Sequence, residues 1–188
     1  IKYSGNYRTD SLSSSTTIPS SLSPGTYYWG YILDVDGDVD EASESNNIRT
    51  CNQITLQDDL PDLEAERVQT TSNSVVMGDT ISVSYRINNI GTDYSGSFDW
   101  ELYLSTDSTI TTSDILVDDF SENSIYPGSY RSSTKYNVAI PTSISPGYYY
   151  LGLIADSNAD ATELDEGNNI VSSTSRIDIE EPADLEPQ

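Results

Sequence analysis

Histidine is absent from the 188 residues, which removes the Ser-His-Asp and Cys-His nucleophilic arrangements, most zinc sites and the commonest general base. Cysteine occurs once, at Cys51, so no disulfide framework staples the chain, and the lone thiol reads as a small packed side chain. Long apolar runs are missing too: none approaches the ~20 residues that a helix needs to span a bilayer. Cationic side chains are scarce. Eight Lys plus Arg stand against 31 Asp plus Glu, a formal charge of −23. Such a surface repels nucleic acid and anionic membranes, so neither nucleic-acid binding nor membrane insertion of this segment is expected. Phe and Trp number two each, whereas Tyr occurs 14 times, a bias toward strands over helices.

What is present is a repeat. Residues 18–48 read IPSSLSPGTYYWGYILDVDGDVDEASESNNI, and residues 140–170, 122 positions later, read IPTSISPGYYYLGLIADSNADATELDEGNNI. Seventeen of the 31 positions are identical without a gap. Tyr3-Ser4-Gly5-Asn6-Tyr7-Arg8 matches Tyr126-Pro127-Gly128-Ser129-Tyr130-Arg131 after a slip of one residue, and Pro61-Asp62-Leu63-Glu64 is answered by Ala183-Asp184-Leu185-Glu186. The organisation expected from this is the C-terminal half of one repeat (1–57), a short acidic linker (58–61), a complete repeat (62–179), and the start of the next repeat or a linker (180–188). A half repeat needs its missing strands from preceding residues or from another chain.

Period-2 runs mark seven strands in the complete unit, at 62–69, 79–88, 97–105, 114–120, 131–140, 148–156 and 170–179. Ile81, Val83, Tyr85 and Ile87 alternate with Ser82, Ser84 and Arg86, and Phe98, Trp100, Leu102 and Leu104 alternate likewise. No helical stripe appears. The fold class expected is all-β, a seven-stranded immunoglobulin-like β-sandwich in tandem repeats. Trp100 falls on the third strand, where such sandwiches bury a tryptophan. Ile144-Ser145-Pro146-Gly147-Tyr148-Tyr149-Tyr150 has the spacing of a tyrosine corner with Tyr150 as its centre, and Tyr28 holds that place in the first copy. Tyr27, Trp29 and Tyr31 share one face of a strand. They read as core, with a stacking platform for sugars as the rival, although Leu151 and Leu153 replace Trp29 and Tyr31 in the second copy.

Several strings together, PDLEAERVQ, GDTISVSYRINNIGT, ELYLSTDSTITTSDILV and IPTSISPGYYYLGLIADSNADATELDEGNN, resemble the CARDB family, a cell-adhesion-related domain of bacteria. The most specific pieces are Leu104-Ser105-Thr106-Asp107, the Asn89-Ile90-Gly91-Thr92 turn, Pro146-Gly147-Tyr148-Tyr149 and Glu166-Gly167-Asn168-Asn169. The resemblance implies a seven-stranded sandwich, usually in tandem, on large surface or secreted proteins. Adhesion is implied only loosely, because such modules also serve as spacers beside secreted hydrolases.

Chemistry, if any, resides in the acidic loops. Asp34, Asp36, Asp38, Asp40 and Glu41 alternate around Gly37, and carboxylates so spaced can wrap one hard cation such as Ca²⁺, which takes roughly 6–8 oxygen ligands. The second copy offers Asp156, Asn158, Asp160 and Glu163, followed by Asp165 and Glu166. The order is not that of an EF-hand, and a solvated turn whose Asp and Asn side chains bond local amides is the competing reading. Asp58, Asp59 and Asp62 in the linker could join Asp156 and Asp160 in an inter-domain calcium site. The loop from Thr106 to Asp114 reads as a capped turn. Paired acids also occur in glycosidases, but here they sit in loops of a repeat too small to frame a substrate cleft. The function expected is a non-catalytic structural or adhesive module at a bacterial cell surface or outside the cell, stiffened by calcium or assembled into a fibre. Its partners are neighbouring repeats, further copies of the chain in a fibre, or surface glycans or proteins. The alternative is an accessory module, spacer or carbohydrate-binding, of a secreted hydrolase.

Overall fold

The computed structural model describes residues 17–184, and the chain divides after Asp58 into two units. The match of Tyr3–Arg8 to Tyr126–Arg131, and that of Leu185 and Glu186, lie outside the described residues. In the first unit β1 (Gly25–Ile32) and β2 (Ile48–Leu56) form one antiparallel pair, and a single 3₁₀ turn (Glu44–Asn46) lies in the connection between them.

The second unit contains β3 (Leu63–Thr70), β4 (Ser74–Val76), β5 (Thr80–Asn89), β6 (Phe98–Ser105), β7 (Ile115–Glu122), β8 (Ser129–Ala139), β9 (Gly147–Ala155), β10 (Ile170–Ser172) and β11 (Ile177–Glu180). One sheet runs β3-β5-β8. The other runs β4-β11-β9-β6-β7, with β10 also on β9. The alternation seen in the sequence sets which face each residue takes. Ile81, Val83, Tyr85 and Ile87 point into the core, at most 4% exposed, while their polar neighbours on β5 face outward. Trp100, Leu102 and Leu104 of β6 meet them from the facing sheet with no measurable exposure. Trp100 lies between Tyr85 and Phe120, with ring centroids 4.5 and 4.4 Å away, as expected for the buried tryptophan of such sandwiches.

Two departures from the expected seven strands have local causes. The expected strand 170–179 splits into β10 and β11. Ser173, at the break, places its Oγ where it accepts the Leu151 amide at 3.0 Å, while its own amide donates to Leu151 O at 2.7 Å. The added strand β4 pairs in parallel with β11, so the chain that leaves β3 in one sheet crosses to the other within a few residues.

The tyrosine corner is centred one residue earlier than expected. Tyr149, not Tyr150, donates its hydroxyl to Ser145 O at 2.8 Å, and Tyr149 is buried. Period 2 explains the shift, because Tyr149 shares the inward face with Leu151 and Leu153 whereas Tyr150 faces out toward Arg176. The same correction holds in the first unit, where Tyr27 rather than Tyr28 donates to Ser23 O at 2.8 Å.

Candidate acidic site

The loop from Asp156 to Asn169 follows β9, and its shape is imposed by carboxylates. Asp156 ends the strand in a left-handed conformation (φ 47°) that Asp tolerates better than most residues. Its Oδ1 accepts the Asp160 amide at 2.9 Å and its Oδ2 the Ala161 amide at 3.1 Å, which curls the loop over the carboxylate. Glu166 Oε1 accepts the Glu163 amide at 3.1 Å. That bond brings Glu163 inward, where it is 7% exposed.

Glu163 then ties the loop to the first strand of its unit. Its Oε2 accepts the Leu63 amide, and its Oε1 accepts Asn169 Nδ2 at 3.0 Å. Three further bonds reinforce this junction: Leu164 N to Pro61 O at 3.0 Å, Ala65 N to Asn168 O at 3.1 Å, and Asn168 Nδ2 to Asp62 Oδ1 at 2.7 Å. On the other side Asn89, fully buried, accepts the Asp62 and Gly91 amides and donates to Asp93 O and Ile125 O. Gly91 is required there because a Cβ would lie 2.5 Å from Leu60 O.

The result is a convergence of charge. One carboxylate oxygen each from Asp156, Glu163 and Glu166 lies within 4.8 Å of the other two. Burial pushes the Glu163 carboxyl up to about 7, with the Asp156 and Glu166 charges adding to the effect against the hydrogen bonds from Leu63 and Asn169. Burial likewise raises Asp156, opposed by its two backbone hydrogen bonds. Three hard oxygen donors with mutual repulsion suit a metal cation. Asn169 Oδ1, buried beside them without a hydrogen-bond partner, adds a neutral oxygen of the kind such ions accept. The donor set therefore fits. The hydrogen bonds already on Asp156 and Glu163 do not preclude ligation, since each carboxylate oxygen carries two acceptor sites.

Of the residues singled out in the sequence, the structure brings together Asp156 and Glu163. Asn158 turns away and donates to Asp99 Oδ2 at 3.0 Å, and Asp160 is exposed. In the first unit Asp34 (φ 48°) curls its loop as Asp156 does, accepting the Asp38 and Val39 amides at 2.9 and 3.1 Å. Asp36, Asp38, Asp40 and Glu41 are exposed around it. Asp58 and Asp59 are exposed, and Asp62 is engaged by Asn168. In the Thr106–Asp114 loop the carboxylates serve as caps: Asp107 accepts the Thr109 amide and Asp114 the Thr111 amide, each at 2.7 Å.

Glu166 and Asn169 complete the cluster although neither belongs to the expected ligand set. A signal for both existed: Asp156, Glu163, Glu166 and Asn169 stand 122 residues after Asp34, Glu41, Glu44 and Asn47, identical at all four places.

The model of the CARDB family matches residues 60–173. Among solved structures, the CARDB domain of a Pyrococcus furiosus protein, in complex with di-metal ions, is similar over 66% of this chain and 92% of its own, at 19% identity and TM-score 0.48. A domain of a candidate cell surface protein from Methanosarcina acetivorans is similar over 63% of this chain and 92% of its own, at 21% identity and TM-score 0.46. A β-glucosidase from Listeria innocua, in complex with isofagomine, is similar over 66% of this chain but only 17% of its own, at 14% identity and TM-score 0.40. No curated protein sequence matches the chain.

Proposed function

Because the chain belongs to the CARDB family, a non-catalytic family of cell-adhesion-related domains of surface proteins, we propose that it is a structural, adhesive segment of an extracellular repeat protein whose units are stiffened by calcium. The observation that carries this reading is the convergence of Asp156, Glu163 and Glu166 at the point where the β9–β10 loop grips the start of β3. A cation there relieves the repulsion among three carboxylates and locks Leu63 and its strand to the loop. Asp156, Glu163 and Glu166 would hold it, with Asn169 as the neutral donor, and its contribution is rigidity. The offset of 122 residues between equivalent acids supports a tandem array of such units.

The alternative, an accessory module of a secreted hydrolase that grips carbohydrate, draws on Trp29 and Tyr31, which are 57% and 53% exposed. Those side chains occupy the places of Leu151 and Leu153, both buried in the sandwich core, which favours packing over sugar binding. Calcium titration of the full chain, followed by calorimetry and bound-metal analysis, tests the proposal. Binding lost in Glu166→Gln supports it. Binding of glycans at Trp29 without any calcium response favours the accessory module.

A further inference from the structure

Among the described residues the first unit carries an apolar face and an unpaired strand edge, and the second unit shows what such a face is built to receive. Tyr27, Trp29, Tyr31 and Leu33 stand 122 residues before Tyr149, Leu151, Leu153 and Ala155. The local geometry repeats with them. The corner hydroxyl bond recurs, Asp34 and Asp156 share φ values of 48° and 47°, and Gly25 and Gly147 share values of 155° and 151°. Strand pairing recurs as well: Tyr27 pairs with Ile54 and Gly25 with Leu56, as Tyr149 pairs with Ile177 and Gly147 with Ile179.

Exposure differs sharply. Leu151, Leu153 and Ala155 are at most 1% exposed because Trp100, Leu102, Leu104 and the β5 side chains cover them, whereas Trp29, Tyr31 and Leu33 are 57, 53 and 58% exposed. In the second unit β9 is flanked on both edges, by β6 on one side and by β10 and β11 on the other. Among the described residues β1 has a neighbour, β2, on one edge alone.

Resting on the repeat-array reading above, we propose that the β1–β2 face is a docking surface for the first half of another repeat of this same type. The occupant is a polypeptide whose β6-like strand adds to the open edge of β1. The register follows from the pairs Trp100–Ala155, Leu102–Leu153 and Leu104–Leu151. Its tryptophan lies opposite Leu33 and its two leucines opposite Tyr31 and Trp29. The exposed carboxylate of Glu41, equivalent to Glu163, receives the amide of the leucine that follows its Pro-Asp pair. The face is therefore an internal seam of the array and not a sugar platform.

The test extends the full chain by placing a second copy of residues 59–123 ahead of Ile1, the join set by the match of Tyr126 to Tyr3. Hydrogen exchange of β1 amides is read in both chains. Docking slows the unpaired half of the β1 amides by about 100-fold or more, to the level of β9. In a Cys51→Ser background, Tyr31→Cys with Leu102→Cys of the added copy then oxidises to a disulfide, and Tyr31→Cys with Trp100→Cys does not. Unchanged exchange in the extended chain overturns the proposal. So does a 188-residue chain that is already protected there and sediments as a dimer, because a second copy then covers the face. Protection without any calcium response at Glu163 leaves the seam standing and removes calcium stiffening; the reverse pattern removes the seam alone.

Discussion

Asn89 concentrates more of the second unit's polar bonding than any of its neighbours. From a fully buried position its amide satisfies two backbone donors and two backbone acceptors, so truncation removes four hydrogen bonds at once and leaves the buried Gly91 amide without a partner. Asn89→Ala is predicted to destabilise the second unit by about 2–4 kcal/mol in urea unfolding. A loss under about 0.5 kcal/mol contradicts the account of that junction. Glu163 gives a second prediction at this scale. Its carboxyl is raised from 4.5 to about 7 on folding, so the folded state binds this proton more tightly than the unfolded chain does. Its contribution to stability is full below about 4.5 and is lost as pH rises through about 7. In chelator, the melting temperature should fall across that window, and Glu163→Gln should flatten the fall while keeping an acceptor for Leu63. A slope unchanged by the substitution excludes Glu163 as its source. Which acids converge was only partly legible in the sequence. The carboxylate-rich spacing of Asp34 to Glu41 announces itself, yet Asp36, Asp38, Asp40 and Glu41 remain exposed. The converging set depends on Glu163 reaching a strand 100 positions away, and no local pattern shows that.

At the scale of elements, side-chain alternation decided most of the fold, because a residue placed on the wrong face of a strand buries polar atoms or exposes apolar ones. β5 and β6 were therefore readable to within a residue of their observed bounds. Pairing across sheets was not. The short β4 and the break at Ser173 arise from a chain that changes sheets and from a serine that substitutes for the ladder, neither of which has a periodic signature. The corner shows how a correct motif can be misplaced: three consecutive tyrosines offer three centres, and only inward-facing Tyr149 reaches Ser145. Tyr149→Phe should cost about 1 kcal/mol by loss of that bond, whereas Tyr150→Phe should be close to neutral. Equal effects in calorimetry would argue that the hydroxyl of Tyr149 is idle.

At the scale of the molecule, a charge of −23 makes the ionic medium part of the structure. Monovalent salt screens this repulsion generally, but it does not reproduce three oxygens converging on one point. Raising sodium chloride in chelator should thus stabilise the chain modestly, and Glu166→Gln, which removes one of the three repelling charges, should be at least as stable as wild type there. Calcium should separate the two. The measurement that bears most directly on the account is the thermal unfolding of the full chain in calcium and in chelator, for wild type and Glu166→Gln, with bound metal quantified. The account predicts stoichiometric metal and a stabilisation of about 2.7 kcal/mol at a hundredfold excess over Kd, both abolished by the substitution. Identical melting curves in calcium and chelator, with no metal retained, contradict it and leave the loop as a hydrogen-bonded turn.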